Sequence, residues 1–200
     1  MADETTIHGT AAAAAEGLRP RFALFHPNAK CTGGAMKMDL HPAHGVKDGC
    51  MMMTLAPQKT VGERGGPSPR FATFDWERKV CVKLDFSDIC RMLQVFRGET
   101  ESIEDGKGLY HVSPKYSTRI VLRHMVDQGS YSIEVYRSTR GRPDEDCSAR
   151  ITLSSAEAMG LALAFENSIG AICFGIPSVV PHDTSAYDAQ VREALRESVA

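Results

Sequence analysis

Val80-Cys81-Val82-Lys83-Leu84 leads almost directly into Ser87-Asp88-Ile89-Cys90-Arg91-Met92-Leu93, and later Ala149-Arg150-Ile151-Thr152-Leu153 leads into Ser154-Ser155-Ala156-Glu157. In the first stretch Val80, Val82 and Leu84 alternate with Cys81 and Lys83, the period of a strand with one face in a core. The residues after it read as a helix. Ser87 is placed to accept from the free amides of the first turn, and Asp88 favours the helix dipole there. Ile89, Met92, Leu93 and Phe96 make the apolar stripe, and Gly98 ends the helix. In the second stretch Ser154-x-x-Glu157 is a capping-box signature for a helix running to about Phe174. A strand-to-helix junction met twice predicts one domain built from two similar halves.

Upstream of the first junction lie further strand patterns at 21–26, 35–40 and 50–56, then a Gly- and Pro-rich loop at 61–69, a β-type segment at 71–76 and the closing strand at 79–85. In Ala35-Met36-Lys37-Met38-Asp39-Leu40 the alternation puts Met36, Met38 and Leu40 on the core face and Lys37 and Asp39 on the other. Upstream of the second junction lie 109–113, 118–125, a turn at Asp127-Gln128-Gly129, 131–138, a polar loop and 149–153. The fold predicted is α+β, two antiparallel four-stranded sheets each followed by a helix. The ordered domain is expected over 21–176, with halves 21–98 and 107–176 joined by an acidic, Gly-containing linker. Residues 1–20, with the run Ala11 to Ala15, read as a disordered tail, and 177–200 as an acidic tail carrying a short amphipathic helix marked by Tyr187, Val191, Leu195 and Val199. The second core helix, with Met159, Leu161, Leu163, Phe165 and Ile169, is apolar nearly all round, so it is expected deep in the core or at a subunit interface.

Two hundred residues with 42% hydrophobic content can bury a core without covalent staples. The six cysteines form no C-x-x-C pair, and Cys81, Cys90 and Cys173 lie in apolar segments, where thiols act as small buried hydrophobes in a reducing compartment. No apolar stretch is read as a membrane span, and Asp3 and Glu4 stand where a basic leader would be. An intracellular protein, cytoplasmic or nucleoid-associated, is expected. The net charge of -2 conceals an asymmetry: residues 21–142 hold 19 Lys and Arg against 13 Asp and Glu, whereas the rest of the chain holds 4 against 12. The excess of cations belongs to the strands.

Sequence-tolerant binding of a single nucleic-acid strand needs cations that follow the backbone and flat side chains on which bases stack. Arg119 and Arg123 share one strand face with Val121 between them, and Lys79 and Lys83 share a face with Cys81. Phe74, Trp76, Tyr110 and Tyr136 are the candidate stackers, with a packing role the competing reading for each, and Lys37 and Lys107 are candidate phosphate contacts. Catalysis finds less support. His41-x-x-His44 beside Asp39 lacks a spaced third ligand, Gly33-Gly34 and Asp105-Gly106-Lys107-Gly108 are turns without the Gly-Lys-Ser/Thr ending of a phosphate loop, and no Gly-x-Ser-x-Gly elbow surrounds a serine. No enzyme chemistry, cofactor or metal is expected.

The order of two four-stranded units each followed by a helix resembles the Whirly family. So do Phe74-Asp75-Trp76-Glu77-Arg78-Lys79 leading to Ser87-Asp88-Ile89, and Leu55-Ala56-Pro57 closing the third strand. That family is related to the kinetoplastid mitochondrial RNA-binding proteins and the PC4-like single-stranded DNA-binding fold. The resemblance covers roughly 21–176. It implies a non-enzymatic homotetramer, packed through its helices, that binds single-stranded DNA in genome maintenance or transcription regulation. RNA binding by the same fold and an oligomeric protein-interaction scaffold are the alternatives. The Lys-Gly-Lys-Ala-Ala-Leu motif of plant members has no match here, where the region reads His26-Pro27-Asn28-Ala29-Lys30 and Gly33-Gly34-Ala35-Met36-Lys37, so the higher-order assembly tied to that motif is not implied.

Overall fold

A computed structural model describes residues 22–63 and 70–175. Both expected tails and part of the Gly- and Pro-rich loop lie outside the described residues. Strands β1 (Phe22–His26), β2 (Gly34–His41), β3 (Cys50–Pro57) and β4 (Val80–Leu84) form one antiparallel sheet in chain order. Strands β5 (Leu109–Val112), β6 (Tyr116–Met125), β7 (Ser130–Thr139) and β8 (Cys147–Ser154) form the other. Helix α1 (Phe86–Phe96) follows the first sheet and α2 (Ser155–Phe174) the second. Residues 71–76 are not a sheet strand. They touch β3's end through a bridge from Gln58 to Phe74 and a bond from the Asp75 amide to the Pro57 carbonyl, because β4 already occupies β3's free edge.

Alternation builds a single core. Met36, Met53, Leu55 and Val82 come from the first sheet, Ile120, Leu122, Ile133 and Ile151 from the second, and Ile89, Met92, Leu161 and Phe165 from the helices. Phe96 packs between Tyr131 and Phe165, with ring centroids 5.6 and 6.2 Å away. Leu40 departs from its predicted place. It is exposed near the end of β2, bordering an apolar groove beside α2 with Phe22, Leu161 and Phe165. Cys173 is exposed as well, whereas Cys81 and Cys90 are half-buried, and all six cysteines are free thiols.

The helix starts follow local hydrogen bonding. Ser154 and Glu157 form the predicted capping box of α2. For α1 the cap is Asp85, not Ser87: its carboxylate accepts from the Asp88 amide at 2.9 Å and the Asp88 carboxylate accepts from the Asp85 amide at 3.1 Å. Asp85-x-x-Asp88 has the box spacing, whereas Ser87 has no acid three residues on. Each box acid also meets a histidine from the first strand of the opposite half. His111 on β5 lies 3.0 Å from Asp88, and His26 on β1 lies 2.8 Å from Glu157.

Helix α2 is buried on one face only. Leu161, Phe165 and Ile172 face the core, while Met159 (63% exposed), Leu163 (51%) and Phe174 (89%) do not. By length and composition alone its 20 residues could cross a membrane, contrary to the sequence reading. Its core packing, its bonds from the Ala43 and Gly49 amides to the Ala171 and Ile172 carbonyls, and its Arg97–Glu166 ion pair make it a helix of this fold.

Candidate nucleic-acid interface

The outer face of the second sheet assembles four of the ten predicted residues. Antiparallel register places Tyr110 beside Arg119, Arg119 beside Tyr136, and Tyr136 beside Ser148, one row across all four strands. The Arg119 guanidinium lies 4.8 Å from the Tyr136 ring centroid, a cation–π contact. Arg123, on the same face two steps along β6, is exposed and bridges through its backbone to Ser102, just before the turn Ile103–Gly106. Lys107 is exposed at the end of that turn. The chain returns to β5 through Gly108, where φ is +82° and a Cβ would stand 2.4 Å from the Ile120 carbonyl oxygen. Only glycine combines that conformation with that approach.

Two charged groups on this face were missed from sequence. Glu134 and Arg150 are cross-strand partners in the next row, with Arg150 Nη1 3.7 Å from Glu134 Oε1. Ser132 Oγ donates to Oε1 at 3.4 Å, and the Tyr136 hydroxyl donates to Oε2. That bond, with burial and the carboxylate's charge, raises the Tyr136 phenol above its ordinary pKa of 10.0, so it remains a neutral donor. Glu134 and Arg150 border two clefts. One, of about 320 Å³, includes Arg123, Ser132 and Thr152. The other, of about 270 Å³, includes Tyr136 and the β1–β2 turn residues Thr32 and Gly33. The alternation of Ala149, Ile151 and Leu153 with Arg150 and Thr152 was the signal that could have found Arg150.

The second cleft exists because the two sheets meet closely there. A Cβ on Gly34 would stand 2.0 Å from the Arg150 carbonyl oxygen, so only the bare backbone fits. Gln58 then fixes the turn above. Its Oε1 accepts from the Asn28 and Gly33 amides at 2.8 and 3.2 Å, and its Nε2 donates to the Asn28 and Thr60 carbonyls at 3.0 and 2.9 Å.

On the first sheet the predicted residues form a separate group. Lys37 shares a cross-strand row with Thr54 and Cys81, and its Nζ sits 3.9 Å over the Trp76 ring. Phe74 packs against Phe25 with centroids 5.6 Å apart, and these aromatics with exposed Phe71 border a cleft of about 580 Å³. Trp76 thus offers a half-buried ring whose partner is a lysine ammonium. Lys79 and Lys83 stand exposed on and beside the edge strand β4. Among the described residues, no group of three His, Cys, Asp or Glu side chains is placed to hold a metal ion.

No protein-family model and no curated protein matches the sequence. Solved structures do match. WHY3 from Arabidopsis thaliana aligns with a TM-score of 0.58 at 19% identity, over 88% of this chain and 98% of its own. WHY1 from the same plant gives 0.58 and 19%, over 90% and 97%. The chain has the Whirly fold. The plant transcriptional regulator PBF-2 aligns at 0.57 and 15% identity, over 76% of this chain and 81% of its own. Within this Whirly fold, the segment from Phe74 to Lys79 that carried the sequence resemblance forms a turn ahead of β4: Asp75 Oδ1 accepts from the Glu77 and Arg78 amides at 3.2 and 3.3 Å.

Proposed function

We propose that this chain binds single-stranded DNA through the outer faces of its sheets, without enzymatic chemistry, and acts in genome maintenance or transcription regulation. The observation that carries the reading is the row Tyr110–Arg119–Tyr136, flanked by Arg123 and Arg150. It sets aromatic rings and phosphate-pairing cations on one open sheet face. Rings on such a face stack any base, which gives low sequence specificity, and the arginines neutralise the backbone. The Lys37–Trp76 and Phe25–Phe74 pairs supply a second platform on the first sheet. The fold shared with a plant transcriptional regulator supports the assignment to DNA transactions. A homotetramer packed through the helices fits the apolar residues that α2 leaves uncovered.

Fluorescence anisotropy with matched single-stranded DNA, duplex DNA and single-stranded RNA tests the reading. The expected order is single-stranded DNA ahead of RNA and duplex at low salt. A preference for RNA would move the protein to RNA metabolism, and equal or absent binding of all three would overturn the proposal.

A further inference from the structure

Glu134 is the one acid in the row it shares with Val121 and Arg150, on a face whose charged side chains in the neighbouring rows, Arg119 and Arg123, are cations like Arg150. A surface serving only to attract phosphate would be weakened by a carboxylate at its centre. Of the three groups that contact the carboxylate, only Ser132 is buried. The Arg150 side chain is 53% exposed and Tyr136 38%, so both reach water, while the Glu134 side chain is only 18% exposed. Arg150 and Tyr136 therefore do not depend on the acid for a partner, and their contacts fix its position. Ser132 and Arg150 approach Oε1 and the Tyr136 hydroxyl takes one position on Oε2. An ionised carboxylate has about four acceptor positions and no donor. One position on Oε2 is left, and Glu134 lines both clefts.

A fixed acceptor beside stacking rings reads the donor edge of a base. Cytosine presents its N4 amino group and adenine its N6 amino group, and pairing of Glu or Asp with cytosine N4 is an established mode of base reading. Thymine and uracil present the O4 carbonyl at the equivalent position, and two acceptors facing each other repel. We infer that Glu134 is a specificity residue that favours bases carrying an exocyclic amino group, cytosine first, over thymine and uracil. The inference rests on the single-strand-binding reading and adds to it a preference by base class. Arg150 and Ser132 act as positioning residues, aiming the carboxylate.

The test is the affinity of the full chain for oligo-dC, oligo-dA and oligo-dT of equal length at one salt concentration, for the wild type and for Glu134→Gln. The wild type is expected to bind oligo-dC about tenfold more tightly than oligo-dT, the lower part of the range for one good base contact. Glu134→Gln presents a donor as well as an acceptor, so it should bind the two strands within about twofold of each other, chiefly by gaining affinity for oligo-dT. Ser132→Ala removes one aiming bond without changing charge and should narrow the ratio partway. Equal binding of oligo-dC and oligo-dT by the wild type overturns the inference. So does a parallel shift of all three affinities in Glu134→Gln: upward it makes Glu134 a repulsive charge only, downward a support for Tyr136 and Arg150 only. Loss of binding to every strand by the wild type refutes the single-strand reading itself, which separates the two failures.

Discussion

Gln58 is 7% exposed, and its amide holds four backbone groups of the β1–β2 turn and of the segment after β3. Gln58→Ala leaves these part-buried amides and carbonyls without their side-chain partner, and because water reaches the exposed residues Asn28 and Thr60 each costs less than the roughly 1 to 3 kcal/mol of a fully buried unsatisfied group. A stability loss of about 2 to 3 kcal/mol in urea unfolding is expected, with an unchanged midpoint the contrary result. None of this was legible in the sequence, because a glutamine just after Pro57 carries no periodic or motif signal. Arg119, Arg123 and Tyr136 were legible, since period two assigns a residue to a face whatever its neighbours are. Their pairing was not. That Arg119 stands beside Tyr136, and Glu134 beside Arg150, follows from register, which turn geometry sets and alternation alone does not.

The two strand-to-helix junctions were read from sequence as elements, but the first was capped at the wrong residue. Asp85→Ala should destabilise the chain by about 1 kcal/mol in denaturant unfolding, and Ser87→Ala by much less; the reverse ranking would restore the serine cap. The histidine at this junction makes stability depend on pH. The hydrogen bond to Asp88 raises the His111 pKa above 6.5, burial opposes it, and the charges of Asp88 and Asp85 add to the rise. The folded state therefore binds the proton more tightly than the unfolded chain. The contribution is complete below about pH 6.5 and is lost as pH rises through the higher folded value. The stability advantage of wild type over His111→Gln, followed by thermal unfolding, should shrink as pH rises above about 6.5. A constant difference would contradict the pairing. The other junction has the opposite sign. Burial pushes the Glu157 carboxyl up, but bonds from the Ser154 amide and hydroxyl and the nearby His26 outweigh it, so its pKa falls below 4.5 and its contribution is lost only toward acid pH.

At the scale of the molecule, the two sheets and two helices share one core, and what remains exposed divides into charged sheet faces and an apolar face of α2. The sequence showed α2 as apolar nearly all round without showing which part the chain itself covers. Tertiary packing decides that, and it leaves Met159, Leu163 and Phe174 outside. If α2 is the subunit contact, light scattering should give a tetramer for the wild type and smaller species for Leu163→Glu, while a monomeric wild type would remove the helices from assembly. The central claim concerns the sheet faces, and the salt dependence of single-stranded DNA binding tests it most directly. Each phosphate contact contributes about 0.7 to the slope of log affinity against log salt for a single strand. Replacing both Arg119 and Arg123 with alanine should lower affinity at low salt and flatten that slope by about 1.4. An unchanged affinity and slope would show that the second sheet's outer face is not where the strand lies.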